Sequence, residues 1–204
     1  MSKFTAKKRL LSKKLVAAYD PSKYEYCKSF NQLSMNLIRN NDIRYLIVGT
    51  LTPPEGRKNG YFYTASKNKM FRYIDLSFSD GLYLEQKKSN PAEIEKILCK
   101  RHVAFFDVVN EAIVLKGSSR DDDILSYTLD YVRFKEILSK NPKIKIAVNS
   151  KNAEAGFKQI CNELKIHIKY ELIPQNLWGY SRIYPSELIL IKKWKSFFWL
   201  ILML

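Results

Sequence analysis

Four short apolar runs constrain this chain more than any other feature: RYLIVGT (44–50), VAFFDVV (103–109), IKIAVNS (144–150) and HIKYELIP (167–174). The first three are almost continuous in Val, Ile, Leu and Phe, the pattern of strands covered on both faces. Helical patterns lie around them. Residues 22–39 carry Tyr26, Phe30, Leu33 and Leu37, and 91–100 opens with Pro91 after Asn90. Residues 123–139 space Ile124, Tyr127, Tyr131, Phe134 and Leu138 at helical intervals, and 151–165 do the same with Ala155, Phe157, Ile160, Cys161 and Leu164. A last helix is expected from Pro185, a favoured first-turn residue, with Leu188, Ile191, Trp194 and Phe198 on one stripe. Alternating strands and helices predict an α/β fold, a three-layer sandwich with a central four-stranded parallel sheet flanked by helices. The 204 residues suit one domain, with 1–40 a helical segment packed on it and 53–60 a loop by its Pro and Gly.

In such a fold the strands end on one edge, where ligands bind. Four segments then converge: GTLTPPEG (49–56), DVVNEA (107–112), NSKNAE (149–154) and IPQNLWGYSR (173–182). Charge narrows what they would meet. Thirty-five Lys and Arg against 20 Asp and Glu give a formal +15, which favours a polyanion, nucleic acid before anionic membrane. Cys27, Cys99 and Cys161 are far apart and odd in number, which argues against a disulfide framework and for a reducing cytoplasm. With only two histidines, a metal site is not expected. The basic N-terminus is too interrupted to read as a signal peptide. The closing FFWLILML is eight apolar residues where a span needs about 20. It reads as a buried segment, with a subunit contact as the alternative.

The stretch GYFYTASKNKMF (60–71) adds chemistry: Tyr61, Phe62 and Tyr63 side by side, then Asn68 between two lysines. Together with IVGTLTPP before it, VAFFDVV, IAVNSKNAEAGF and the loop before the last helix, it resembles the uracil-DNA glycosylase superfamily. The mismatch-specific and hypoxanthine-type branches are the nearest in pattern, over about residues 43 to 195. The resemblance implies removal of a damaged or deaminated base from DNA, by a monomer, with no metal or organic cofactor and no membrane. It implies that Gly49, Thr50, Leu51 and Pro53 form the first active-site loop and that Phe62 or Tyr63 stacks on the flipped base. Asn149 would face the Watson–Crick edge. Asn68 would be catalytic, with Thr52 as a further candidate because Leu51 stands where several branches place a water-activating residue. Lys67, Lys69, Arg72, Gln175, Asn176, Leu177, Trp178 and Arg182 would contact DNA, with Leu177 and Trp178 near the wedge that enters the duplex.

These residue types suit the reaction. A base must leave the stack before its glycosidic bond can be reached, and stacking on an aromatic ring offsets roughly 1–3 kcal/mol of that cost. The sugar becomes cationic as the bond breaks, so a water held by a neutral amide such as Asn68 suffices if it is well placed. Backbone N–H groups or the Asn149 amide would hold the negative charge on the base. Each residue also has a plainer reading: Asn68 as a helix N-cap, Asn149 as a capping turn residue, the aromatic triplet as core. Asp107 reads as structural, and Asp121, Asp122 and Asp123 as charges opening a helix. Pro174, Gln175 and Asn176 replace the His or Ser–Pro–Ser pattern of relatives, so a catalytically inactive DNA-binding module on the same fold is the alternative. A Mg²⁺ nuclease using Asp107 and the acidic run is a third reading, which excision in EDTA would exclude.

Overall fold

The structure is a computed structural model that describes residues 9–10, 19–40, 42–175, 180, 183–184 and 186–199. In chain order the elements are β1 (Arg9–Leu10), β2 (Tyr24–Lys28), α1 (Asn31–Asn40), β3 (Tyr45–Gly49), α2 (Pro54–Asn59), α3 (Met70–Phe78), α4 (Pro91–Lys100), β4 (Val103–Asp107) and β5 (Val109–Leu115). They continue with β6 (Ile124–Leu129), α5 (Tyr131–Lys140), β7 (Lys145–Val148), α6 (Lys151–Glu163), β8 (Glu171–Leu172) and α7 (Glu187–Trp199).

The expected parallel sheet is present, in the order β4–β3–β7–β8. Every residue of β3 and β4 is buried, which is why their sequences are apolar without alternation. Helices α1 and α4 pack on β4, α6 on β3 and β7, and α7 on α3. Local chemistry sets several boundaries. Asn90 accepts from the Glu93 N–H ahead of Pro91, and Ser150 accepts from the Ala153 N–H at the start of α6. Helix α2 stops at Gly60, whose φ of 79° is left-handed.

A second sheet, β1–β6–β5–β2, was not foreseen. Only Val108 separates β4 from β5. The N–H groups of Val108 and Val109 bond to the carbonyls of Gly49 and Thr50, so the chain turns directly from one sheet into the next. This sheet corrects two expected helices. Residues 24–28 are a strand because they pair antiparallel with 111–115, and α1 starts only after Phe30. Residues 124–129 are likewise a strand, paired with β5, and α5 begins where Asp130 accepts from the Arg133 N–H. The Asp121–Asp123 turn therefore precedes a strand and not a helix, so no macrodipole holds those charges. Pro54–Asn59 is helical where a loop was expected, and the fourth parallel strand is only Glu171–Leu172.

Candidate active site at the carboxyl edge of the parallel sheet

Register brings the predicted loops together. Gly49 pairs with Asp107 across β3 and β4, while Val48 pairs with Val148 across β3 and β7, so Asn149 follows beside them. The first loop is pinned to β4: the Thr52 backbone N–H and the Thr52 hydroxyl each donate to Asp107 Oδ2, at 2.8 Å. Gly49 leaves room for this. A Cβ there would stand 2.8 Å from Tyr63 Oη, 2.9 Å from Asp107 Oδ1 and 3.5 Å from Asn149 Nδ2. Three polar side chains thus meet above one bare Cα.

Burial dominates the electrostatics. It pushes the Asp107 carboxyl up to about 7 against the lowering effect of the two Thr52 hydrogen bonds, and Asp121 adds to the rise. Burial likewise raises the Tyr63 phenol well above its ordinary range, with Asp107 as the second cause. Asp121, the first residue of the acidic run, reaches this rim: its Oδ2 accepts from Thr50 Oγ1 at 2.9 Å and from Asn152 Nδ2 at 3.0 Å. Thr50 Oγ1 also lies 3.3 Å from Ser150 Oγ. Asn31 closes the back of the site, accepting from the Asp107 N–H and donating to both the Asp107 carbonyl and Asp130.

The aromatic triplet is not a strand. Gly60 and then Tyr63, at φ 56°, take left-handed conformations, which removes the alternation that would send neighbouring rings to opposite faces. All three rings are consequently buried. Phe62, 1% exposed, packs edge-on against Phe30 and Tyr61 and beside Phe105. Its ring offers no face to a base in this structure and serves as core. Tyr63 stands at the edge of that cluster, its ring centroid 4.7 Å from that of Phe105, and its hydroxyl accepts from Asn149 Nδ2 at 2.8 Å. Asn149, 3% exposed, is therefore already hydrogen-bonded at the position where a base edge was expected.

Asn68 belongs to the same rim. Its Oδ1 accepts from the Met70 N–H at 2.9 Å, but Lys69 and not Asn68 stands at the N-cap, so the expected N-cap becomes a turn one residue earlier that satisfies the first N–H of α3. Its Nδ2 donates to Gln175 Oε1 at 2.9 Å, and the Gln175 N–H reaches the Asn149 carbonyl at 3.3 Å. Gln175, expected on DNA, is here the bridge between Asn68 and Asn149. Lys88 Nζ holds the carbonyls of Ala65, Ser66 and Asn68 and so fixes the turn that carries the amide. Lys67 and Arg72 are exposed, while Lys69 pairs with Glu187 at 3.0 Å. Leu51 is half-buried against the core, and Pro53 precedes α2. Asn176, Leu177, Trp178 and Arg182 lie outside the described residues, as does Pro185. Asn31 is a rim residue that the sequence did not suggest, and Asp107 and Asp121 entered there only in the nuclease reading. For Asp107 its place at a strand end was the available signal.

Sheet order, strand direction and helical cover define an α/β protein whose polar residues gather at the carboxyl edge of a four-stranded parallel sheet. The fold is similar to that in a solution NMR structure of a protein from Methanosarcina acetivorans provisionally assigned as a uracil DNA glycosylase. The TM-score is 0.56 at 17% sequence identity, over 78% of this chain and 90% of that one. No family model and no curated protein sequence matches the chain.

Proposed function

We propose that this chain acts on DNA as a monofunctional N-glycosylase, turning a deaminated base, uracil or hypoxanthine, into the rim and hydrolysing its N-glycosidic bond. One observation carries the reading: Asn68, Gln175, Asn149 and Tyr63, drawn from three separate loops, form one hydrogen-bonded chain at the sheet edge. The fold likeness and the formal +15 support it. A carbonyl oxygen has two lone pairs. Asn68 Oδ1 gives one to Met70 and has a second with which to hold a water toward the sugar carbon. A base entering the rim would take the Asn149 amide from Tyr63 Oη and lie against the Tyr63 ring. Lys67 and Arg72, exposed on the same segment, would neutralise phosphates and make binding fall with salt.

The Asn149–Tyr63 hydrogen bond favours a second reading, a module that binds DNA with its pocket closed. Incubating the protein with oligonucleotides bearing uracil, hypoxanthine or xanthine, followed by alkali, separates the two. Strand scission after alkali, unaffected by EDTA, is expected. No scission on any lesion, with salt-sensitive binding retained, would leave the binding module.

A further inference from the structure

We propose that Asp107 is a catalytic residue that receives the departing base, donating a hydrogen bond from a protonated Oδ1 to the lactam oxygen on which negative charge gathers. This rests on the excision reading above and adds to it a residue on β4 that holds the leaving group.

The two carboxyl oxygens have different surroundings. Oδ2 accepts both Thr52 donors, so it is the oxygen that remains C=O when the group is neutral. The proton then belongs on Oδ1, which lies beside the bare Cα of Gly49 with Tyr63 Oη and Asn149 Nδ2 around the same point. The surroundings favour the neutral acid. Arg57, the nearest cation, spends its guanidinium on the Thr52 carbonyl and on Glu25, 2.9 and 2.5 Å away. Asp121 faces the group from the acidic turn and opposes its ionisation. Cys27 on β2 has its thiol pushed up to about 11 by burial, so it brings no charge at neutral pH. Tyr63 is held neutral in the same way. Asp130, reached through Asn31, is paired with Arg133. Burial raising Asp107 to about 7 agrees with this geometry. A carboxylic acid kept neutral in a dry site is an effective donor to a developing anion.

The chemistry balances without loss of that proton. The C1′–N bond breaks with its electron pair on the base, a water oxygen bonds to C1′, and the proton released by that water ends on the base. Asp107 holds the anion by a hydrogen bond and remains protonated. A lactam oxygen, present in uracil and hypoxanthine, accepts that bond. An ionised Asp107 would repel it.

Asp107→Asn places an N–H donor at the Oδ1 position and keeps a carbonyl for Thr52, so it mimics the acid at every pH. The test is single-turnover excision from uracil- and hypoxanthine-containing oligonucleotides between pH 5.5 and 9, with folding checked by circular dichroism. The expected result is a wild-type rate that falls about tenfold per pH unit above the Asp107 titration, an Asn variant active and flat over that limb, and Asp107→Ala slower by about 10²–10³-fold. A wild-type limb that persists unchanged in Asp107→Asn, or a folded but inactive Asn variant, overturns the role of Asp107 and leaves the excision reading standing. Wild-type inactivity on every lesion overturns the excision reading and this inference with it.

Discussion

Thr52 holds Asp107 through two hydrogen bonds to a single carboxylate oxygen, one from its backbone N–H and one from its hydroxyl, each 2.8 Å long. The loop leaving β3 is thereby tied to the last residue of β4. Both bonds favour the ionised carboxylate and so moderate the rise that burial causes. Thr52→Val removes the hydroxyl and keeps the N–H. The Asp107 titration should move upward and, on the excision reading, the descending limb of the rate should move to higher pH with it. A cost of roughly 1 kcal/mol in urea denaturation is expected from the lost bond. A pH–rate profile of the variant checks the direction. A limb moving to lower pH would contradict the assignment.

Stability should carry the same signature. The native carboxyl titrates near 7 against an ordinary value of 3.8, so over that window the folded state holds a proton that the unfolded chain has released. Folding stability therefore falls as pH rises from about 4 to about 7, and the loss is complete above that. Asp107→Asn has no such proton to lose. Its advantage over wild type should be small at pH 4.5 and grow to on the order of a few kcal/mol at pH 8. Urea midpoints at the two pH values measure it, and an advantage that shrinks with pH would refute the buried neutral acid.

Gly49 has no room for a side chain on the rim. A Cβ there would press on Tyr63 Oη and Asp107 Oδ1 at under 3 Å, and neither is the end of a flexible chain. Gly49→Ala should cost about 1–3 kcal/mol and displace the phenol from Asn149. Thermal denaturation gives the cost, and the displacement should appear as altered Asn149 side-chain amide resonances. An Ala variant as stable as wild type would mean that the rim is looser than its distances imply.

How legible this was from the sequence depended on range. Strands β3, β4 and β7 could be read directly, because burial on both faces leaves a continuous apolar run that needs no knowledge of partners. Tyr24–Lys28 could not, since its strand state comes from pairing with residues more than eighty positions away. Ile124 and Tyr127 fall at helical spacing with Tyr131 and Phe134, yet Asp130 caps a new helix between them. At the site, Asn68, Thr52, Asn149, Gln175 and Tyr63 are brought to one edge because strand order does so. The aromatic triplet was misleading because the left-handed turn at Tyr63 is a tertiary choice, and so was Asp107, whose carboxyl is pushed up by burial that only the packed fold creates.

Asn68 both holds the first N–H of α3 and reaches the rim, and two variants separate those jobs. Asn68→Ala loses the acceptor for Met70 N–H and the donor to Gln175 Oε1. It should lower stability by about 1 kcal/mol and, on the excision reading, slow the reaction by about 10²-fold or more. Asn68→Asp keeps an oxygen for Met70 and puts a negative charge at the start of α3, where the helix dipole favours it. Like the alanine it loses the donor to Gln175 Oε1, so its stability should lie above Asn68→Ala and near wild type. An aspartate also holds a water at least as firmly as the amide does, so excision should survive this substitution while it fails in the alanine variant. Thermal midpoints and single-turnover rates for the pair give the answer. If both variants excise at the wild-type rate and differ only in midpoint, Asn68 is a turn residue that steadies α3, and the water must be held by another group on the rim.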